Sequence, residues 1–155
     1  MPITGGPYLV SAFFCEKLLQ EADGVPSAIR IIDRWNVNGP AETMPTTIIQ
    51  GTLVITMKSG VYRGNAQITI SPITPSNNRL PPVVFPVLFE GEDDRGVGVV
   101  LPMAFPAQES GVYWFEISVS GQALAQYIAT ALPMRVAYFQ MVAPSRPGQP
   151  QTGQL

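Results

Sequence analysis

The sequence holds one cysteine, Cys15, no histidine, and a single close-set group of carboxylates, Glu90, Glu92, Asp93 and Asp94. Without histidine there is no imidazole general base, no serine–histidine triad and almost no route to a catalytic zinc site. Cys15 has neither a histidine to activate it nor a second cysteine to pair with, so it reads as a small core residue. No Gly-x-Ser-x-Gly occurs, and serine–lysine chemistry would have to recruit Lys17 or Lys58 outside any motif. No catalytic residue and no cofactor are therefore expected, and the chain does not read as an enzyme. The four carboxylates are the one place with metal chemistry, since loops at one end of a sandwich gather such oxygens around calcium. Their spacing is not that of an EF-hand, and a solvated turn that keeps strand edges apart is the stronger expectation.

Two tryptophans are the other candidates for recognition. Trp35 lies in an apolar alternating segment, where a core position is expected. Trp114 instead shares the polar side of its segment with Glu116, Ser118 and Ser120. A large aromatic there is out of place unless something covers it. The cover is either a loop of the same chain, such as residues 72–82, or a partner for which Trp114 is the interaction anchor. An exposed indole also suits the stacking of a sugar ring. Asp33-Arg34 closes another alternating segment and is expected to be a charge pair fixing the strand's exit.

Strands must position these residues. The longest clean alternation spans residues 110–120, where Tyr113, Phe115, Ile117 and Val119 oppose the polar set. A repeat of two is a strand's repeat, and the β-branched and aromatic content makes this one half-buried and central. Residues 8–14 are nearly all apolar and open a first strand, with a short helical continuation allowed near Cys15 to Glu21. Asp23-Gly24 and Pro26 signal a turn. Residues 28–37 then alternate, with Ile29, Ile31, Trp35 and Val37 on one side, which completes a hairpin. Further strands are expected over residues 47–58, 66–71, 83–89, 97–103 and 132–138, with Pro86 marking an edge or a bulge. A looser alanine-rich connection follows Gly121-Gln122.

About eight short strands without strand–helix–strand alternation predict an all-β fold. The expected architecture is an antiparallel β-sandwich, immunoglobulin-like or C2-like, with at most one short helix. At 155 residues, 46% hydrophobic and 13% charged, the chain supports one sizeable core and leaves apolar surface for a partner. One domain is expected over residues 1–142, followed by a Pro/Gln/Gly-rich tail over residues 143–155 that is disordered or a docking arm. A net charge of −2 without a basic cluster disfavours nucleic acid. The first residues lack a signal-peptide pattern and no apolar run reaches membrane-spanning length, so membrane insertion is not expected. A lone cysteine suits a reducing cytoplasm.

Two resemblances accompany this reading. Gly111-Val-Tyr113-Trp-Phe115 resembles the penultimate strand of immunoglobulin-like domains, where Gly-x-Tyr-x-Cys sets a tyrosine at the strand's corner. Phe115 stands where the cysteine would be, which removes the inter-sheet disulfide and leaves the sandwich. Ala12-Phe-Phe-Cys-Glu-Lys17, Asp23-Gly24 and Ala28-Ile-Arg-Ile-Ile-Asp-Arg34 resemble the opening of a family of small uncharacterised bacterial β-sandwich proteins. That resemblance implies a one-domain bacterial sandwich of unknown function and carries no catalytic residue.

The expected function is a non-catalytic protein-interaction or assembly module. It would bind a protein partner or form a homo-oligomer through a sheet surface, using an outward Trp114, Phe139 and Val54. The alternative is a carbohydrate- or calcium-binding sandwich.

Overall fold

The computed structural model describes residues 5–143. Among these residues the chain forms β1 (Tyr8–Gln20), β2 (Pro26–Ile32), β3 (Arg34–Gly39), β4 (Thr47–Lys58), β5 (Gly64–Ile73), β6 (Val83–Phe89), β7 (Gly96–Ala107), β8 (Gly111–Gly121) and β9 (Leu124–Gln140). One sheet has the order β2-β1-β4-β7 and the other β3-β9-β8-β5-β6. Neighbouring strands run antiparallel, except that β3 lies parallel to β9. The inner faces enclose one apolar core, as expected of an all-β, sandwich-like fold.

The period-two pattern decides which faces meet. Tyr113, Phe115, Ile117 and Val119 of β8 are buried, as are Ile68 and Ile70 of β5 and Ile49, Leu53, Ile55 and Met57 of β4. Phe115 sits where the two sheets meet, its ring centroid 4.8 Å from that of Phe14 and 5.3 Å from that of Phe105. Both pairs are edge-to-face, the arrangement favoured by the ring quadrupole. Gly111 enters β8 with φ of 137°, a backbone state that L side chains resist. One turn on, the Tyr113 hydroxyl donates to the Glu109 carbonyl at 3.0 Å and ties the start of the strand to the preceding loop.

The structure departs from expectation in two places and decides a third point, the short helix, that the sequence left open. Residues 28–37 are two strands in different sheets: β2 pairs with β1, β3 pairs with β9, and the chain crosses between sheets at Asp33. Ile29 and Ile31 consequently face outward and are exposed, while Val37 is buried in the core. Nothing in the alternation marks this crossing, because the period is unbroken through it. On the open point, no helix forms among the described residues. β1 continues to Gln20 because β2 supplies its ladder, pairing Leu18 with Ala28 and Gln20 with Pro26. Secondly, the alanine-rich connection is strand. β9 begins at Leu124 opposite Gly121, so the turn is only Gln122-Ala123, with Ala123 at φ 58°. Cross-strand pairing with β8 overrides the weak strand preference of alanine; the division of residues 28–37 into β2 and β3 brings the strands among the described residues to nine.

β6, interrupted by Pro86, is an edge strand as expected, with β5 on its only paired side. Of the tail over residues 143–155, residues 144–155 lie outside the described residues.

Candidate functional site

Trp114 is on the outer face of the five-stranded sheet and 44% exposed. Its cross-strand neighbours are Pro133 of β9 and Ile73 of β5, one on each side of it in the sheet. Residues 72–82 do not close over it. They fold back through an Ile73–Arg79 bridge, and Arg79 pairs with Glu116 at 3.3 Å, one outward position along β8 from Trp114. The surface is therefore an indole set among Pro133, Ile73 and Val112 with an ion pair at its rim. Phe139, 51% exposed, is outward on the same sheet but lies six residues beyond Pro133 along β9. That separation is about 20 Å along an extended strand, too far for one compact anchor.

Val54 is the third residue expected outward, and its burial is a correction: only 8% of it is exposed. It lies on the outer face of the four-stranded sheet between Phe13 and Val100, whose side chains cover it. Cys15 belongs to that same outer face, opposite Ile31 and Thr52, and not to the core between the sheets. Its neighbours leave it no exposed surface, and burial pushes its thiol pKa up, which keeps it protonated and unreactive. Around these residues Val10, Ile29, Ile31, Ile48 and Val100 are exposed, so this face is more apolar than sequence reasoning anticipated. The available signal was the run of apolar residues on both parities in β1 and β4, which means that neither face of those strands is polar.

The acidic turn is a latched structural element. Arg63, just before β5, donates through Nε to the Gly91 carbonyl at 2.6 Å and through a terminal nitrogen to Asp93 Oδ1 at 2.8 Å. Its other terminal nitrogen donates to the carbonyls of Gly60 at 2.6 Å and Tyr62 at 2.7 Å. One planar guanidinium thus joins the β4–β5 connection to the β6–β7 turn. The backbone repeats the connection, with Gly60 N–H donating to Asp93 O at 3.0 Å and Ser59 N–H to Arg95 O at 2.7 Å. Glu90, Glu92 and Asp94 are exposed around the latch. Among the described residues, no three carboxylate, thiol or imidazole side chains gather as a metal-holding group.

Lysine cannot reproduce this fork. Arg63→Lys should lower unfolding free energy by about 1–3 kcal/mol through lost and unsatisfied hydrogen bonds. Amide exchange across residues 90–95 should quicken at the same time. A urea midpoint equal to that of the parent protein would show that the backbone bonds alone hold the turn.

Trp35 faces inward opposite Val136 and is half-buried against the core edge. Asp33 and Arg34 do not pair with each other. The ion pairs among the described residues are Arg30–Glu16, Arg63–Asp93 and Arg79–Glu116. What Asp33 contributes is its carbonyl, which accepts from the Arg135 N–H at 3.0 Å and docks the crossing chain onto β9. Among the described residues no helix is long and apolar enough to cross a membrane. No family model matches the chain, and no curated protein matches it.

Proposed function

We propose that this protein is a non-catalytic interaction module that binds protein through the outer face of its five-stranded sheet, with Trp114 as the anchor. The observation that carries this reading is the uncovered indole, flanked by Pro133 and Ile73 on a strand whose outward residues are otherwise polar except for the neighbouring Val112. Buried aromatic anchors dominate interface energies, and an indole flanked on both sides in its sheet is already oriented, so little conformational freedom is lost when a partner covers it. The exposed aliphatic face of the four-stranded sheet offers a second contact surface for assembly.

The fold reading that goes with this function is immunoglobulin-like. The Tyr113 hydroxyl bond to a backbone carbonyl four residues upstream supports it, since that is the tyrosine-corner arrangement of such domains. The neighbouring order β9-β8-β5-β6 in one sheet and β4-β7 in the other agrees with a variable-type sandwich. A bacterial, cytoplasmic setting is part of the proposal, consistent with a lone, shielded thiol.

Trp114→Ser is expected to weaken self-association or partner capture by more than about 2 kcal/mol, roughly thirtyfold in Kd. Thermal unfolding should stay nearly unchanged, because the residue lies outside the core cluster. Sedimentation velocity over a concentration series, affinity capture and calorimetric melting read the three quantities. A lowered melting temperature with association intact would assign Trp114 to stability and remove this function.

A further inference from the structure

Beside Trp114 the parallel register of β3 and β9 places Arg34 directly opposite Arg135. Arg135 is in turn opposite Val112 of β8, so two guanidinium side chains and one valine form a row across three strands on the outer face. The next outward position along β9 is Pro133, the partner of Trp114. Asp33, Arg34, Val112, Pro133 and Arg135 line a depression of about 390 Å³, and Pro133 links it to Trp114 across the β8–β9 ladder. Both arginines are exposed, and neither takes part in an ion pair among the described residues. Like charges directly opposite in a sheet repel one another. Their juxtaposition here is therefore a local cost that an anion held between them would remove. The one carboxylate in the depression, Asp33, is within reach of neither guanidinium as an ion pair, and Glu116 is already held by Arg79.

We infer that this depression receives a carboxylate side chain from an acidic segment of a protein partner, with an adjoining apolar residue of that segment resting on Trp114. The inference rests on the interaction reading above and specifies the partner's chemistry. Guanidinium groups form bidentate, charge-assisted bonds to a carboxylate, and two of them side by side can take one carboxylate each or share one. An apolar anchor with charges at its edge is the composition of a protein-binding patch. Nucleic acid would need a longer basic track than two arginines in a chain of net charge −2.

The experiment uses the full chain, labelled with ¹⁵N, and three probes: a blocked Asp-Glu-Leu-Glu-Asp peptide, its Asn-Gln-Leu-Gln-Asn counterpart, and inorganic phosphate. The acidic peptide should shift the Arg34 and Arg135 side-chain N–H signals and the Trp114 indole signal saturably. The amide counterpart should not. The double substitution Arg34→Gln with Arg135→Gln should weaken peptide binding about tenfold or more, and raised salt should weaken binding to the parent protein. The double variant should melt no lower than the parent, because it removes a repulsion. Equal peptide affinity for parent and double variant would overturn the assignment. So would phosphate shifting the same signals while the acidic peptide leaves them unmoved, which would mark a phosphate site. Concentration-dependent self-association abolished by the double substitution would make the occupant a second copy and overturn the separate partner. Trp114→Ser separates the two readings. If it abolishes association while the arginine substitutions leave association and peptide binding unchanged, the acidic-partner inference fails and the interaction module stands.

Discussion

Phe115→Ala is expected to destabilise the fold by about 3–5 kcal/mol, the usual cost of deleting a buried aromatic. The residue has no exposed surface and lies between the edges of Phe14 and Phe105, one from each of two strands of the opposite sheet. Removing the ring therefore opens a cavity bounded by two rigid rings on one side and the β8 backbone on the other. Neither boundary collapses easily, which places the cost in the upper part of the range. Urea unfolding followed by fluorescence and circular dichroism measures it, and Phe139→Ala is the matched control. Phe139 is an outward phenylalanine, and its loss should change stability by less than about 0.5–1 kcal/mol. If Phe115→Ala costs under about 1 kcal/mol, the inward face of β8 is wrongly assigned.

The second large effect comes from a residue with no side chain. A Cβ added at Gly96 would overlap the Met57 carbonyl oxygen and stand 2.7 Å from its carbon and 2.8 Å from the Lys58 Cα. All three are backbone atoms of the paired strand, so relief requires moving β4 or β7 and not rotating a side chain. Gly96→Ala is expected to cost more than about 2 kcal/mol and to break the Lys58–Gly96 end of the β4–β7 ladder. Gly98, two residues along the same strand, would meet nothing within 4 Å. Gly98→Ala should be neutral or slightly stabilising, since alanine restricts the unfolded chain more than glycine does. Equal urea midpoints for the two variants would show that the start of β7 shifts freely, and that the close approach there constrains nothing.

The contrast between Gly96 and Gly98 shows what the amino-acid order can and cannot carry. Both residues sit in one alternating run, and only the path of β4 distinguishes them. The same limit applies to Asp33. The hydrophobic period continues through residues 28–37, yet the chain changes sheets there, because the choice between pairing with β1 and pairing with β9 is made by strands far away in sequence. It applies again to residues 124–131, whose alanines give little local preference and whose strand state comes from β8.

By contrast, the sequence by itself determined that the fold is all-β, that β8 buries Tyr113, Phe115, Ile117 and Val119, and that Trp114 points away from them. Those properties follow from a repeat of two and from side-chain size, both local quantities. Pro86 likewise limited its segment to an edge strand or a bulge, because a residue without an N–H cannot donate to a ladder, and the structure has the edge. Only the tertiary structure decided that Asp93 is held by Arg63, thirty residues away, that Val54 is covered and Trp114 is not, and that Arg34 meets Arg135. Each of these depends on which strand lies alongside which. That register is fixed by packing across the whole core and is written in no single stretch of the chain.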